Sequence, residues 1–101
     1  MKDYTIKQLI RMEKSIVEYN QKEIDLWTLT QKLWELYEAI EDEEKSLEFK
    51  ELFHKSFDAL EEIVAVDNEA EYENDIKSIY LPNLSTNLNK MIKGYPNQIS
   101  Q

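Results

Sequence analysis

Apolar residues recur along this chain at intervals of three and four, the spacing that gathers side chains on one face of an α-helix. The first such segment runs from about Asp3 or Thr5 to Tyr19, with Ile6, Leu9, Ile10, Ile16 and Val17 on its face. Asn20-Gln21-Lys22-Glu23 is a polar break, expected to fray rather than turn sharply. A second segment opens at Asp25, a good N-cap ahead of Leu26, Leu29, Leu33, Leu36, Tyr37 and Ile40. Trp27 and Trp34 flank that stripe, seven residues apart, as core residues or as exposed aromatic anchors. The acidic run Glu41-Asp42-Glu43-Glu44 would sit badly at the negative end of a helix dipole and predicts an exposed, extended link over about residues 41–46.

Ser46 can cap a third segment reaching about Val66, whose face is Phe49, Leu52, Phe53, Phe57, Leu60, Ile63 and Val64. Glu51 and Lys55 are spaced for an i,i+4 pair on its wet side. After Asp67-Asn68 a fourth segment begins near Glu71 and carries Ile76, Tyr80, Leu84, Leu88, Met91 and Ile92. Pro82 should kink it or start a new helix. Lys90, Lys93, Gly94 as a left-handed C′ residue and Pro96 predict its end, leaving residues 95–101 as a short tail. Four amphipathic helices with short links predict an all-α fold, a compact antiparallel four-helix bundle formed by one domain over residues 1–94.

Composition agrees with helices: one Gly and two Pro leave almost no turn chemistry for hairpins. With 42% apolar residues the chain can fill a core despite 33% charged ones. It has no cysteine, which excludes disulfides and thiolate metal sites and fits a reducing, cytoplasmic setting. No secretory signal is visible, and no uncharged stretch approaches the ~20 residues of a membrane span.

Several patterns invite chemistry. Glu51-Leu52-Phe53-His54 has the Glu-x-x-His spacing of di-iron bundles, but that site needs two such motifs and His54 is the only histidine. Histidine phosphotransfer wants a cationic, uncrowded setting after the His, where this chain has Phe57 and Asp58. Asp67, Asn68, Glu69, Glu71 and Glu73 offer oxygen ligands but lack the central Gly of an EF-hand loop. No Gly-rich loop or nucleophile motif points to an active-site cleft. We therefore expect no catalytic residue, no metal site and no cofactor.

Charge changes the picture most. From Glu35 to Asp75 there are 16 Asp/Glu against Lys45, Lys50 and Lys55, a local net of −13 within a chain of net −9. Such a field repels nucleic acid and attracts a basic partner, and its self-repulsion is relieved when that partner arrives. The densest part, Asp58, Glu61, Glu62, Asp67, Glu69, Glu71, Glu73 and Asp75 with Tyr72 as an aromatic contact, is the candidate partner-binding set. Glu13, Glu18 and Glu23 lie outside it and are expected to matter little.

Three stretches give the chain a family likeness: Ile24-Asp25-Leu26-Trp27-Thr28-Leu29, Leu33-Trp34-Glu35-Leu36-Tyr37 and Phe57-Asp58-Ala59-Leu60-Glu61-Glu62-Ile63. In size, charge and pattern over about residues 5–93 the chain resembles the small acidic immunity proteins of bacterial toxin systems. These include the colicin D immunity and contact-dependent growth inhibition types. The resemblance implies a helical bundle with an acidic surface around its third and fourth helices. It also implies a cognate toxin partner, often a nuclease with a basic active site, and a monomer in a 1:1 complex. A DNA-mimic regulator and a helical adaptor using the tryptophan face are the alternatives.

Overall fold

The computed structural model describes residues 2–99. Helix α1 spans Asp3–Asn20, α2 Leu26–Ala39 and α3 Leu47–Ala65. A 3₁₀ turn, Asp42–Glu44, lies in the link between α2 and α3. The fourth helical stretch is α4 (Glu73–Asp75), a π-helical segment (Ile76–Tyr80) and α5 (Leu81–Ile99) without a break between them. The long helices touch in a ring, α1 on α2, α2 on α3, α3 on α5 and α5 back on α1. This is the expected all-helical bundle, drawn out to 47 × 24 × 19 Å.

Local signals set the starts of α2 and α3. The Asp25 carboxylate accepts the Thr28 N–H at 2.8 Å, and the Ser46 hydroxyl accepts that of Phe49 at 3.1 Å. Each satisfies one of the amides that a helix start leaves without a partner. Thr28 also holds the Asp25 carboxyl below its usual pKa.

The ends of α1 and α3 are sharper than the sequence suggested. Lys22, expected in a frayed break, takes a left-handed conformation (φ 63°), and so does Asp67 (φ 51°). Around Lys22, Glu23 N–H bonds Glu18 C=O and Lys22 N–H bonds Tyr19 C=O. Asn68 and Asp67 do the same with Ile63 and Val64. This paired closure satisfies the last carbonyls of each helix, and here it forms without glycine.

The core follows the stripes with three corrections. Ile10 and Val17 are about half exposed, and Met12 and Tyr19 are buried instead, because the inward face of α1 is Ile6, Leu9, Met12, Ile16 and Tyr19. Leu52 lies off the Phe49, Phe53, Phe57, Leu60 stripe and is partly exposed. In the fourth stretch the buried series is Ile76, Leu81, Leu84 and Leu88, with Tyr80 only partly covered. The π segment causes that shift: Leu81 N–H bonds Ile76 C=O five residues back. Pro82 follows directly and has no N–H to offer the Ser78 carbonyl, so the change of register ends where the proline begins. Finally, Gly94 is not left-handed; it lies within α5, whose backbone stays helical to Ile99.

Aromatic rings fill the α2–α3 layer. Tyr37 stacks on Phe53 at 3.9 Å between centroids, Phe53 on Phe57 at 5.1 Å, and Trp34 on Phe57 at 5.4 Å. Trp34 nevertheless keeps an exposed edge, and Trp27 is 59% exposed, so the tryptophans flank the core rather than fill it.

Candidate functional site

The acidic stretch divides into regions with different surroundings. In the α2–α3 link, the Glu41 carboxylate pairs with the Lys2 ammonium at 2.9 Å, and Asp42 pairs with Lys50 at 2.8 Å. Glu44 accepts bonds from the Lys2 backbone N–H and the Thr5 hydroxyl at the N-terminus of α1. A carboxylate is favoured at that positive end of the helix dipole. The expected extended, repelling link is therefore a tied turn. Lys50 holds the Asp42 carboxyl below its ordinary pKa, and the Lys2 N–H does the same for Glu44. Lys45 completes the link, donating to the Tyr37 carbonyl with its ammonium 4.2 Å from the Tyr37 ring centroid.

The α3–α4 corner is different. Glu61, Glu62, Asp67 and Asp75 have no ion pair or side-chain hydrogen bond among the described residues. Asp58 and Glu62 are four apart on α3, a repelling arrangement. The end of α3 has no basic residue in its last turn, so Glu61 and Glu62 face the negative pole of its dipole uncompensated. Asp58 makes a 3.6 Å contact with His54, and the expected Glu51–Lys55 pair does not form within 4 Å. His54 is partly exposed and meets Tyr37 edge-on at 5.4 Å. Among the described residues no three His, Asp or Glu side chains converge as a metal set.

The nine candidate residues do not form one patch. Glu69 and Glu73 line a separate cavity of about 490 Å³ beside Tyr19, Lys22 and Lys77. There the Tyr19 hydroxyl donates to Glu69 at 3.0 Å and Lys77 pairs with Glu73 at 2.8 Å. Burial, and then the Glu69 contact, push the Tyr19 phenol well above the usual range. Lys77 holds the Glu73 carboxyl below it. Glu71 accepts a bond from Asn68. Exposed, unpaired charge is left chiefly on Glu61, Glu62 and Asp67, with Asp75 half-covered.

Of the apolar part of this corner, sequence reasoning found Tyr72 and missed Val66, Ala59, Ile63 and Tyr80 as its surroundings. Val66 is 61% exposed and Tyr72 37%, and both wall a groove with Ala59, Ile63 and Tyr80. Pro82 was expected to kink or split the fourth stretch, which instead runs on without a break, through a π segment that brings Leu81 into the core in place of Tyr80. Of the acids outside the candidate set, Glu13 accepts bonds from Ser85 and Asn89 across α1–α5, and Glu18 pairs with Lys32 at 3.5 Å, so neither is inert. Of Glu13, Glu18 and Glu23, only the Glu23 side chain has no ion pair or hydrogen bond among the described residues. Comparison with protein-family models, with characterised proteins and with solved structures finds no match to this chain.

Proposed function

We propose that this protein is a cytoplasmic immunity-type inhibitor. It binds a cognate bacterial toxin, a nuclease domain with a basic active site, and covers that site with its acidic α3–α4 corner in a 1:1 complex. The observation that carries this reading is the charge of Glu61, Glu62, Asp67 and Asp75, unpaired among the described residues, with Glu61 and Glu62 near the unfavourable end of the α3 dipole. Carboxylates held there without internal partners are available to Lys and Arg groups that otherwise hold phosphates, and such contacts are strong when charge-assisted. Opposite fields also speed encounter. Inhibition by occlusion asks for no catalytic group, cofactor or nucleic acid contact. No helix among the described residues is long and apolar enough to cross a membrane.

A helical adaptor is the second reading, favoured by the 59% exposure of Trp27. Salt separates the two, since screening weakens an electrostatic complex and spares an apolar one. The direct experiment is co-expression with the product of the neighbouring open reading frame. Protection from a toxic nuclease that is lost on paired reversal of Glu61 and Glu62 to Lys, and kept on Glu23→Lys, supports inhibition by the corner. Protection that survives the corner reversals and fails on Trp27→Ala moves the interface to the tryptophan face.

A further inference from the structure

The groove between the end of α3 and the π-helical segment encloses about 210 Å³ and is walled by Ala59, Ile63, Val66, Tyr72 and Tyr80, with Glu62 at its edge. That is below the roughly 300–1,000 Å³ of small-molecule pockets and suits one side chain. Its walls are apolar and aromatic, the chemistry of an interface hot spot. Glu62 is the acid that lines the groove, and Asp67 and Glu71 are chain neighbours of the wall residues Val66 and Tyr72. Asp58 lies one turn before Glu62 on the same helix face. An apolar side chain entering here therefore crosses a negative rim, and it suits a chain segment that brings cations on either side of it.

We propose that this groove receives a single aliphatic or aromatic side chain from the basic protein partner, flanked in that partner by Lys or Arg. The inference rests on the reading that the corner binds a basic protein, and it adds where the non-electrostatic part of the affinity comes from. Acids alone would confer speed and salt sensitivity; a filled apolar pocket slows dissociation. The π segment matters here because it leaves Tyr80 at the groove while Leu81 fills the core.

Two synthetic Lys-rich peptides of equal charge test this, one with a central Leu and one with Ser in its place, titrated into the full ¹⁵N-labelled chain. The Leu peptide should bind about tenfold more tightly, as burial of one such side chain provides. It should shift the amides of Ala59, Ile63, Val66 and Tyr80. High salt should weaken both peptides and preserve the ratio between them. Ala59→Phe, which fills the groove, should erase the ratio and leave the Ser peptide unaffected, and Val66→Ser should reduce the ratio without touching the core. Equal affinities on the unaltered protein, or a ratio that Ala59→Phe leaves intact, would overturn the anchor. If equal binding is nevertheless abolished by reversing Glu61 and Glu62, the acidic corner stands without it. Absence of binding by both peptides contradicts the anchor and the basic-partner reading together.

Discussion

In the link between α2 and α3, Glu41, Asp42 and Glu44 each meet a donor, whereas at the α3–α4 corner Glu61, Glu62, Asp67 and Asp75 meet none among the described residues. The two regions are alike in composition and opposite in role. The link acids tie the N-terminus of α1 and the first turns of α3 together, through partners 39 and 42 positions away in the chain. In the corner, Glu61 and Glu62 oppose the dipole of α3, and the acids there repel one another. Charge in the link is tied into the fold; charge in the corner is left without an internal partner among the described residues.

The contrast can first be tested through what both regions share. Phe53 stacks between Tyr37 and Phe57 in the core beneath them. Phe53→Ala should cost about 3–5 kcal/mol in denaturant unfolding, as a large-to-small core change. Amide protection in α1, α2 and α3 should fall together. Protection lost near the corner and retained near the link would mean that the two do not rest on one core.

Acid should act on the link. Lys50 lowers the Asp42 pKa and the Lys2 N–H lowers that of Glu44; Asp25 and Glu73 are lowered as well. A carboxyl whose folded pKa is depressed adds stability above its unfolded pKa, and that contribution disappears as pH falls through the folded value. The unfolding midpoint should therefore drop on acidification below about pH 4. Asp42→Asn with Glu44→Gln should start lower at neutral pH and fall less steeply. An unchanged slope in that double variant would show that the link ties contribute nothing.

A smaller effect tests the opposite pole of the link region, where Gly94 of α5 lies beside Ser46 and Phe49. Gly94 has no positive φ, and a methyl group added there meets nothing within 4 Å. Gly94→Ala should stabilise by about 0.5–1 kcal/mol through the lower entropy of the unfolded chain. Destabilisation would restore the left-handed helix end that the sequence suggested.

What the sequence made legible was local. Asp25 and Ser46 cap the helices they precede, and the leucine and phenylalanine stripes of α2 and α3 face inward, because caps and helical periodicity depend on neighbours a few residues away. The misses have longer reach. Ile10 and Val17 look apolar and helical, yet only packing against α2 and α5 decides which side of α1 is wet. Lys22 and Asp67 adopt left-handed turns without glycine to announce them. The shift from Tyr80 to Leu81 follows from a register change: Leu81, Leu84 and Leu88 keep helical spacing, but Ile76 lies five residues before Leu81, a step that an α-helical reading passes over. Of the candidate site, the acidic region was legible as composition. Its division into the tied Glu69 and Glu73 and the unpaired Glu61, Glu62, Asp67 and Asp75 was only partly legible: Glu73 and Lys77 are a local i,i+4 pair, whereas the fold brings Tyr19 to Glu69 from 50 positions away.

The central claim, that the corner is acidic against its own stability, can be measured on the protein alone. Glu61→Lys with Glu62→Lys, followed by chemical denaturation at low and high salt, isolates it. The account predicts a gain of about 0.3–1 kcal/mol per residue at low salt, from a helix end turned from like to opposite charge. Screening should shrink that gain at high salt. A double reversal that destabilises the protein at low salt would contradict the account, because it would mean that these acids have internal partners and are not held in reserve for a basic one.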